Sequence, residues 1–426
     1  MLDARQPCSS PVCRFFPGVV GSVALALFLA CTSQSAVPTT PTAAGVDGTS
    51  TTPEPPAANA PASGAQAVAL TLGVRRSLTS AVLGEERPYL VYTPPGYENG
   101  SKRYPVLYLL DGDTHFHHVT GIVSFLARER RMPAMIVVAL PNTDRGRDFT
   151  PTHDPRTPTS GGADRFVSFL ADELMPEVEK TYRVHPYRVL VGHSLGGLLA
   201  IHTLLHRPDL FQAYIAISPS LQWDSGWALR TARTRWPAGA TLDRFLYFTL
   251  GKEVESITRG NREFAAFLEQ DAPGGLRWSF EFMEREDHGT TPHRTVYRGL
   301  ESLFSGWRWP DELTSLAAIK AHYQALSERF GMPVPVPEGP LDFRGYQLLE
   351  QGKHAEAIAA FQLNIEMHPD SANVYDSMGE ALERSGDLQR ALEYYEQATK
   401  RGAVVRHPFL QIFMANRDRV AGKLKK

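Results

Sequence analysis

Residues 189–199, Val-Leu-Val-Gly-His-Ser-Leu-Gly-Gly-Leu-Leu, decide the fold of this 426-residue chain. They contain the pattern Gly-x-Ser-x-Gly between an apolar run typical of a buried strand and one typical of a helix. Glycine at 192 and 196 permits a tight strand-to-helix turn, which exposes the Ser194 hydroxyl and directs the helix N-terminus toward a developing negative charge. Alone, the pattern could mark only a glycine turn before a buried helix. Its context favours Ser194 as a nucleophile.

The region around this turn alternates short apolar runs with helical segments. Several runs are uninterrupted, as expected for strands buried on both faces. Predicted strands are 88–92, 106–110, 135–140, 188–191, 214–217, 245–250 and 278–283, and predicted helices are 163–182, 195–206 and 259–270. The alternation predicts an α/β fold with a mostly parallel central sheet over residues 67–309.

A serine nucleophile needs a general base and an acid that orients it, and in enzymes with this turn the acid and then the histidine follow the serine. His288 lies in a polar loop after the last predicted strand and is the candidate base; His293, at a predicted helix start, suits a surface role. Glu253 and Glu255 both follow strand 245–250. Either could orient the imidazole and stabilise the imidazolium, or be a solvated carboxylate at a helix start.

A tetrahedral intermediate also needs backbone N–H donors. The candidates are the amides of Leu195, directly after the nucleophile, and of Asp113, after strand 106–110. The histidines at 115, 117 and 118 do not match the spacing of a known zinc motif and are expected to line the mouth of a cleft. We therefore predict no metal and no cofactor.

Five segments together resemble the putative esterase family, the esterase-D-like α/β hydrolases that include enterobactin-type siderophore esterases, feruloyl esterases and S-formylglutathione hydrolases. They are residues 88–97, 108–113, 192–197, 217–220 and 287–289. The resemblance implies an α/β-hydrolase fold and a serine carboxylic-ester hydrolase that forms an acyl-enzyme from a small-molecule ester. Gly-x-Glu at 251–253 resembles the family pattern and favours Glu253 over Glu255. Transfer of the acyl group to another alcohol instead of water stays open.

Residues 142–151 resemble a segment of the siderophore-esterase branch, which implies a periplasmic siderophore lactone esterase as a narrower alternative. Arg145 and Arg147 in this segment could contact anionic substrate groups or order the loop through carboxylates. Trp223 and Trp227 could form an aromatic wall for the acyl group or pack into a lid or the core. Of these residues, Arg145 and Trp223 are the candidate substrate contacts.

The C-terminal part repeats with a period of 34 residues when 342–369 is aligned with 376–403. The aligned glycines, alanines and aromatic residues resemble the tetratricopeptide repeat, in which small residues permit close packing of two antiparallel helices. This predicts a small all-α repeat domain at 341–426 with a capping helix, after a helical connector and linker at 310–340. Two repeats are fewer than the usual three, so the module should pack on the rest of the chain.

The repeats leave two functions open. They could bind a protein partner, or they could act as a buttress or partial lid for the enzyme. An alternative from a different class is a catalytically silent interaction protein in which the repeats bind the partner and the α/β domain is a platform.

The N-terminus carries the features of an export signal. Arginines precede an apolar run that ends at Cys31 in a sequence resembling a lipoprotein processing box. We predict a signal peptide at 1–31, lipidation of Cys31 and a Pro/Thr/Ala-rich disordered linker at 32–66. A signal cleaved near Ala30 or Ala36 without lipid, or an uncleaved anchor, are the alternatives. The enzyme is expected in the periplasm or anchored to the outer membrane of a bacterium.

Charge and cysteine content exclude other classes. The chain has 44 Lys+Arg against 46 Asp+Glu, a formal charge of −2, without the basic surplus that nucleic-acid binding requires. All three cysteines lie within the first 31 residues. The predicted folded domains therefore have no disulfide framework and no cysteine nucleophile.

Overall fold

The structure is a computed structural model, and it describes residues 69–308 and 315–425. The predicted signal peptide, the lipidation site Cys31 and the whole of the predicted linker lie outside the described residues. Within the described residues, no helix combines the length and the apolar character needed to cross a membrane.

Eight strands form one sheet with the spatial order β1-β2-β4-β3-β5-β6-β7-β8. The strands are β1 Val74–Ser80, β2 Glu85–Tyr92, β3 Tyr104–Leu110, β4 Ile136–Leu140, β5 Val184–His193, β6 Ala213–Ile217, β7 Phe245–Lys252 and β8 Arg277–Asp287. β1 and β2 run antiparallel to their neighbours, and all other adjacent pairs are parallel. The predicted fold class, an α/β fold with a mostly parallel sheet, is confirmed.

Helices cover both faces of this sheet. They are α1 Gly112–Arg128, α2 Arg145–Phe149, α3 Ala163–Phe169, α4 Met175–Thr181, α5 Leu195–His206, α6 Trp223–Arg235, α7 Glu255–Asp271 and α8 Thr291–Leu303. A π-helical turn, Leu170–Leu174, joins α3 to α4. The sequence reasoning missed β1, which is mostly exposed and therefore has no continuous apolar run. It also missed α1, whose first turns carry polar residues and histidines.

The order of the strands determines where a cleft forms. The chain passes from β3 to β4 on one side, whereas from β5 it passes to β6 on the other side. β3 and β5 are themselves paired, with Leu109 opposite Val191. Their carboxyl ends therefore lie side by side at the point where the winding reverses, the usual place for a ligand crevice in an open α/β sheet. The loops that begin at Asp111 and Gly192 meet there.

Six further helices follow the sheet domain. They are α9 Leu316–Phe330, α10 Glu338–Glu350, α11 His354–Met367, α12 Ala372–Arg384, α13 Leu388–Val404 and α14 Leu410–Leu424. A Cβ atom at Gly345 would lie 2.4 Å from the ring of Phe361, and one at Gly379 would lie 2.8 Å from the ring of Tyr395. Glycine therefore lets α10 approach α11, and α12 approach α13, as the 34-residue period requires. The tetratricopeptide assignment itself stays a prediction.

One apolar cluster joins these helices to the sheet. Phe330 at the end of α9 lies 5.5 Å from Tyr187, 5.1 Å from Phe304 and 5.5 Å from Trp307, measured between ring centroids. The same cluster of buried side chains extends from the sheet to α10 and α11. We call this cluster the shared core. The α9 helix is therefore part of the packing of the sheet domain.

Candidate active site

Ser194 occupies the sharp turn between β5 and α5. Its backbone has φ 59° and ψ −114°, a strained conformation for a residue other than glycine. The flanking glycines are required because a Cβ at Gly192 would lie 2.2 Å from the carbonyl oxygen of Gly196. A Cβ at Gly196 would lie 3.1 Å from an Asp111 carboxylate oxygen. The turn therefore exposes the serine at the carboxyl end of β5.

His288 follows β8 and is paired with Glu253, which follows β7. The Nδ1 atom of His288 lies 3.0 Å and 2.9 Å from the two carboxylate oxygens of Glu253. The Glu253 side chain is only 3% exposed, whereas His288 is 38% exposed. Glu255, the alternative acid, is the exposed first residue of α7. The structure thus brings Glu253 to the imidazole, and Nε2 is left for proton transfer.

The hydroxyl of Ser194 has Ser220 as its neighbour. The two Oγ atoms are 3.3 Å apart, and Ser220 is 5% exposed. Among the described residues, no hydrogen bond joins Ser194 to His288, although the ring of the preceding residue His193 lies 4.6 Å from that of His288 between centroids. Catalytic hydrogen bonds are often long in an enzyme without substrate. The sequence reasoning did not single out Ser220, although the segment 217–220 contributed to the family resemblance.

The two predicted oxyanion amides lie at helix N-termini in the crevice. Leu195 is the first residue of α5, and Asp113 is the second residue of α1. A Cβ at Gly112 would lie 2.8 Å from the backbone nitrogen of Leu140, so the chain passes close to the end of β4. Since α1 and α5 begin at the ends of the paired strands β3 and β5, the positive ends of both helix dipoles lie at the same crevice.

A chain of histidine rings extends from His288 into the crevice. His193 lies 4.6 Å from His288 and 5.6 Å from His115 between ring centroids. His115 Nδ1 is 3.0 Å from His118 Nε2, and the ring of His118 lies 5.4 Å from that of His293. Burial, reinforced by neighbouring histidines, lowers the pKa of His193 to about 3 and that of His118 to about 4. These two rings are therefore uncharged near neutral pH.

His117 is exposed and does not join this chain of rings. In the part of the chain that the structure describes, no three His, Cys, Asp or Glu side chains are arranged to hold a metal ion. Four of the crevice histidines, at 115, 118, 193 and 288, contact one another through their rings or ring nitrogens.

The lowered histidine pKa values predict an acid-sensitive fold. In the unfolded chain a histidine binds its proton near pH 6.5, whereas His193 and His118 resist it until about pH 3 and 4. The unfolded state therefore binds more protons, and the free energy of unfolding should fall as pH drops from about 6.5 toward 4. Urea unfolding between pH 7.5 and 4.5 measures this slope.

His118→Gln should reduce the slope by up to about 1.4 kcal/mol per pH unit, the contribution of one proton. The matched control is His117→Gln on the same helix, which changes an exposed ring that contributes least to lowering the pKa of His118 and should change the slope far less. Equal slopes for wild type and His118→Gln would contradict the prediction.

The two arginines of α2 contact carboxylates of the protein itself. Arg145 donates from Nε to Asp111 at 2.6 Å and from Nη2 to the carbonyl oxygen of His193 at 2.8 Å. Arg147 donates to Glu85 at 2.7 Å and to Asp148 at 2.7 Å. Substrate contact by Arg145 stays a prediction. The sequence reasoning allowed for an Arg–Asp pair but did not identify Asp111 as its acid.

Behind Arg147 lies a buried ion pair. Arg87 and Asp148 are each 2% exposed in their side chains and lie 2.7 Å apart. Hydrogen bonds from Arg147 lower the pKa of Glu85 to about 2. The segment 142–151 is thus attached to β2 by ion pairs from Arg147 to Glu85 and from Asp148 to Arg87.

The tryptophans lie on a helix with an irregular start. Trp223 donates from Nε1 to the hydroxyl of Thr152 at 3.0 Å. Trp227 stacks on His202 and His206, with ring centroids 5.3 Å and 5.6 Å apart. Trp227 is therefore occupied by packing on α5, whereas Trp223 borders the segment after α2 and stays a candidate substrate contact.

Comparison with known proteins assigns this chain to a family. The family described as putative esterase matches residues 80–246. An IroE-like serine hydrolase from Shewanella oneidensis has a crystal structure that aligns with 69% of this chain and 99% of its own, with 30% identity and a TM-score of 0.62. The chain belongs to the putative esterase family. The sequence-based family resemblance is confirmed, and the region that aligns is an α/β-hydrolase domain of this family.

Two curated relatives carry more specific names. The ferri-bacillibactin esterase BesA of Bacillus subtilis is 36% identical over 168 residues, which cover 34% of this chain and 58% of the relative. The siderophore enterobactin esterase of Emericella nidulans is 32% identical over 201 residues, which cover 41% of this chain and 63% of the relative. The chain thus spans about 60% of the length of these relatives. The family match ends before Glu253 and His288.

Proposed function

We propose that this putative-esterase-family protein is a serine carboxylic-ester hydrolase that acts through an acyl-enzyme. Its single strongest support is the His288–Glu253 pair beside the strained turn that carries Ser194. Ser194 attacks the ester carbonyl and transfers its proton to Nε2 of His288. Glu253 holds the imidazole through Nδ1 and stabilises the imidazolium. His288 then protonates the leaving alcohol, and water attacks the acyl-enzyme with His288 as base.

The tetrahedral oxyanion is held by the amides of Leu195 and Asp113. Both belong to the first turns of helices, so the N–H groups have no partner within their own helix and the helix dipole adds to their effect. Oxyanion-hole donors typically contribute about 10²–10³-fold to kcat each.

A narrower candidate is a siderophore lactone esterase. The names of the two curated relatives and the residues of segment 142–151 favour it. In this proposal Trp223 borders the acyl group of the substrate, whereas the guanidinium of Arg145 is engaged by Asp111 and by the carbonyl oxygen of His193. Comparing kcat/KM for a triscatecholate trilactone with that for simple aryl esters tests it; equal values would leave only the general esterase.

We also propose export through the predicted signal peptide, anchoring through Cys31, and a buttressing role for the C-terminal helices. The anchor would be supported if the full-length protein sediments with the membrane fraction and the Cys31→Ala variant does not. Two alternatives remain: the repeats bind a protein partner, or the α/β domain is a platform without catalysis. Recovery of a partner protein in a pull-down with the Ser194→Ala variant would favour these alternatives.

The proposed mechanism predicts that Ser194→Ala removes turnover. A fragment starting at residue 67 should hydrolyse short p-nitrophenyl esters and should be labelled by a fluorophosphonate. In the Ser194→Ala variant, hydrolysis should fall to the spontaneous rate and labelling should disappear. Ser220→Ala is the matched control because it removes the neighbouring hydroxyl and keeps the nucleophile, so labelling should persist. A folded Ser194→Ala variant with wild-type turnover would rule out the mechanism.

A further inference from the structure

Arg145 joins the two loops that carry the proposed oxyanion amides. Its Nε and Nη2 atoms lie 2.6 Å and 3.2 Å from the two oxygens of Asp111, at the end of β3. The same Nη2 lies 2.8 Å from the carbonyl oxygen of His193, the residue before the nucleophile. One guanidinium therefore contacts both the loop after β3 and the turn after β5.

Asp111 lies directly before α1 and against the turn that carries Ser194. Its side chain is 7% exposed, and its backbone has φ 54°, directly before the first turn of α1. The carboxylate also accepts a hydrogen bond from Asn142 at 2.7 Å and lies against Gly196. A buried carboxylate needs a charged or hydrogen-bonding partner, and Arg145 is the cation that pairs with it. Without it, the left-handed residue before α1 would lose its support.

We infer that Arg145 is a positioning residue that sets the separation between the Leu195 and Asp113 amides. This inference rests on the proposed esterase function. The planar guanidinium can donate side-on to Asp111 and at the same time to a carbonyl, which a lysine ammonium cannot reproduce with the same geometry. Displacing a catalytic group by about 1 Å can cost about 10²-fold in rate. The role is distinct from contact with the substrate.

Arg147 provides a matched comparison on the same helix. It also makes two carboxylate contacts, but these are with Glu85 and Asp148, on the side of α2 that faces β2. Lysine at either position keeps the positive charge but loses the planar set of N–H donors with which a guanidinium contacts two acceptors at once. Arg145→Lys and Arg147→Lys therefore perturb α2 to a similar degree, and only the first perturbs the link between the two oxyanion loops.

The test compares both variants in kcat, KM and the inhibition constant of an aryl trifluoromethyl ketone, which binds serine as a tetrahedral adduct. For Arg145→Lys we expect kcat to fall about 30–100-fold, KM to change less than about twofold, and ketone affinity to fall in parallel with kcat. Arg147→Lys should stay within about twofold in all three. Circular dichroism tests whether each variant is folded. If Arg145→Lys does not fold, Asn142→Ala replaces it, because it removes a single hydrogen bond to Asp111. This variant should lower kcat and ketone affinity in parallel, by a smaller factor.

Two results would overturn the inference. A raised KM with unchanged kcat and ketone affinity would make Arg145 a substrate contact, and unchanged values in all three would make it a purely structural link. Failure of the proposed function is separate, because it would appear as turnover that survives Ser194→Ala.

Discussion

Replacing Glu253 by glutamine is expected to lower kcat by about four orders of magnitude. The carboxylate is 3% exposed and contacts Nδ1 of His288 through both oxygens. Glutamine keeps the shape but presents an amide, which favours the wrong imidazole tautomer and does not stabilise the imidazolium; the analogous change in a serine protease triad costs about 10⁴-fold. Steady-state hydrolysis of a p-nitrophenyl ester measures the loss, with KM expected to change little.

Glu255→Gln is the matched control for this experiment. Glu255 lies two residues further along the chain, is exposed at the start of α7, and should leave kcat within about twofold. The opposite outcome, a large loss at 255 and none at 253, would assign the acid to Glu255. Equal losses in both variants would indicate that the loop after β7 matters only for folding.

Removing everything after residue 308 is expected to make the α/β domain aggregate. The α9 helix contributes Ile319, Tyr323, Leu326 and Phe330 to the shared core, each at most 4% exposed. Burial of each such side chain contributes about 1.5–3 kcal/mol. Their combined loss is comparable with the whole stability of a typical domain, about 5–15 kcal/mol. Light scattering and the binding of a hydrophobic dye to fragment 69–308 check the prediction.

Fragment 69–337 is the control because it keeps α9 and the extended segment after it. It should be monomeric and should retain esterase turnover if the repeats act only as a buttress. A soluble, cooperatively unfolding 69–308 fragment would contradict the proposed role of the shared core. If 69–337 were folded but inactive, α10–α14 would have a role in the site itself.

The parts of the fold that the sequence predicted depend on local patterns. The apolar runs 106–110, 188–191 and 245–250 all lie within strands, and the helix predicted at 195–206 begins and ends where α5 does. A buried parallel strand needs apolar residues on both faces, so its signal is continuous. β1 lies at the sheet edge and α1 begins with polar residues, so neither gives such a signal.

The residues of the candidate site likewise include some that local sequence patterns reveal and some that only the folded sheet brings together. Ser194 could be singled out as the candidate nucleophile because the glycines that its turn requires lie within two residues of it. Arg145 was noticed, but its partner Asp111 lies 34 residues earlier in the chain, and the two come into contact because they follow β4 and β3, which are neighbours in the sheet. Ser220 reaches the nucleophile through the adjacent strand β6 in the same way.

The sequence by itself determined the fold class, and it predicted the turn that carries Ser194 and the loop that carries His288, because each of these patterns depends on residues that are close in the chain. The family resemblance favoured Glu253 over Glu255, but only the tertiary structure shows that Glu253 contacts the imidazole of His288. β7 pairs with β8 so that Lys252 lies opposite Asp287, and the first residues after the two strands, Glu253 and His288, therefore come into contact. Strand register over a 35-residue separation is a property of the packed sheet, and no local pattern encodes it.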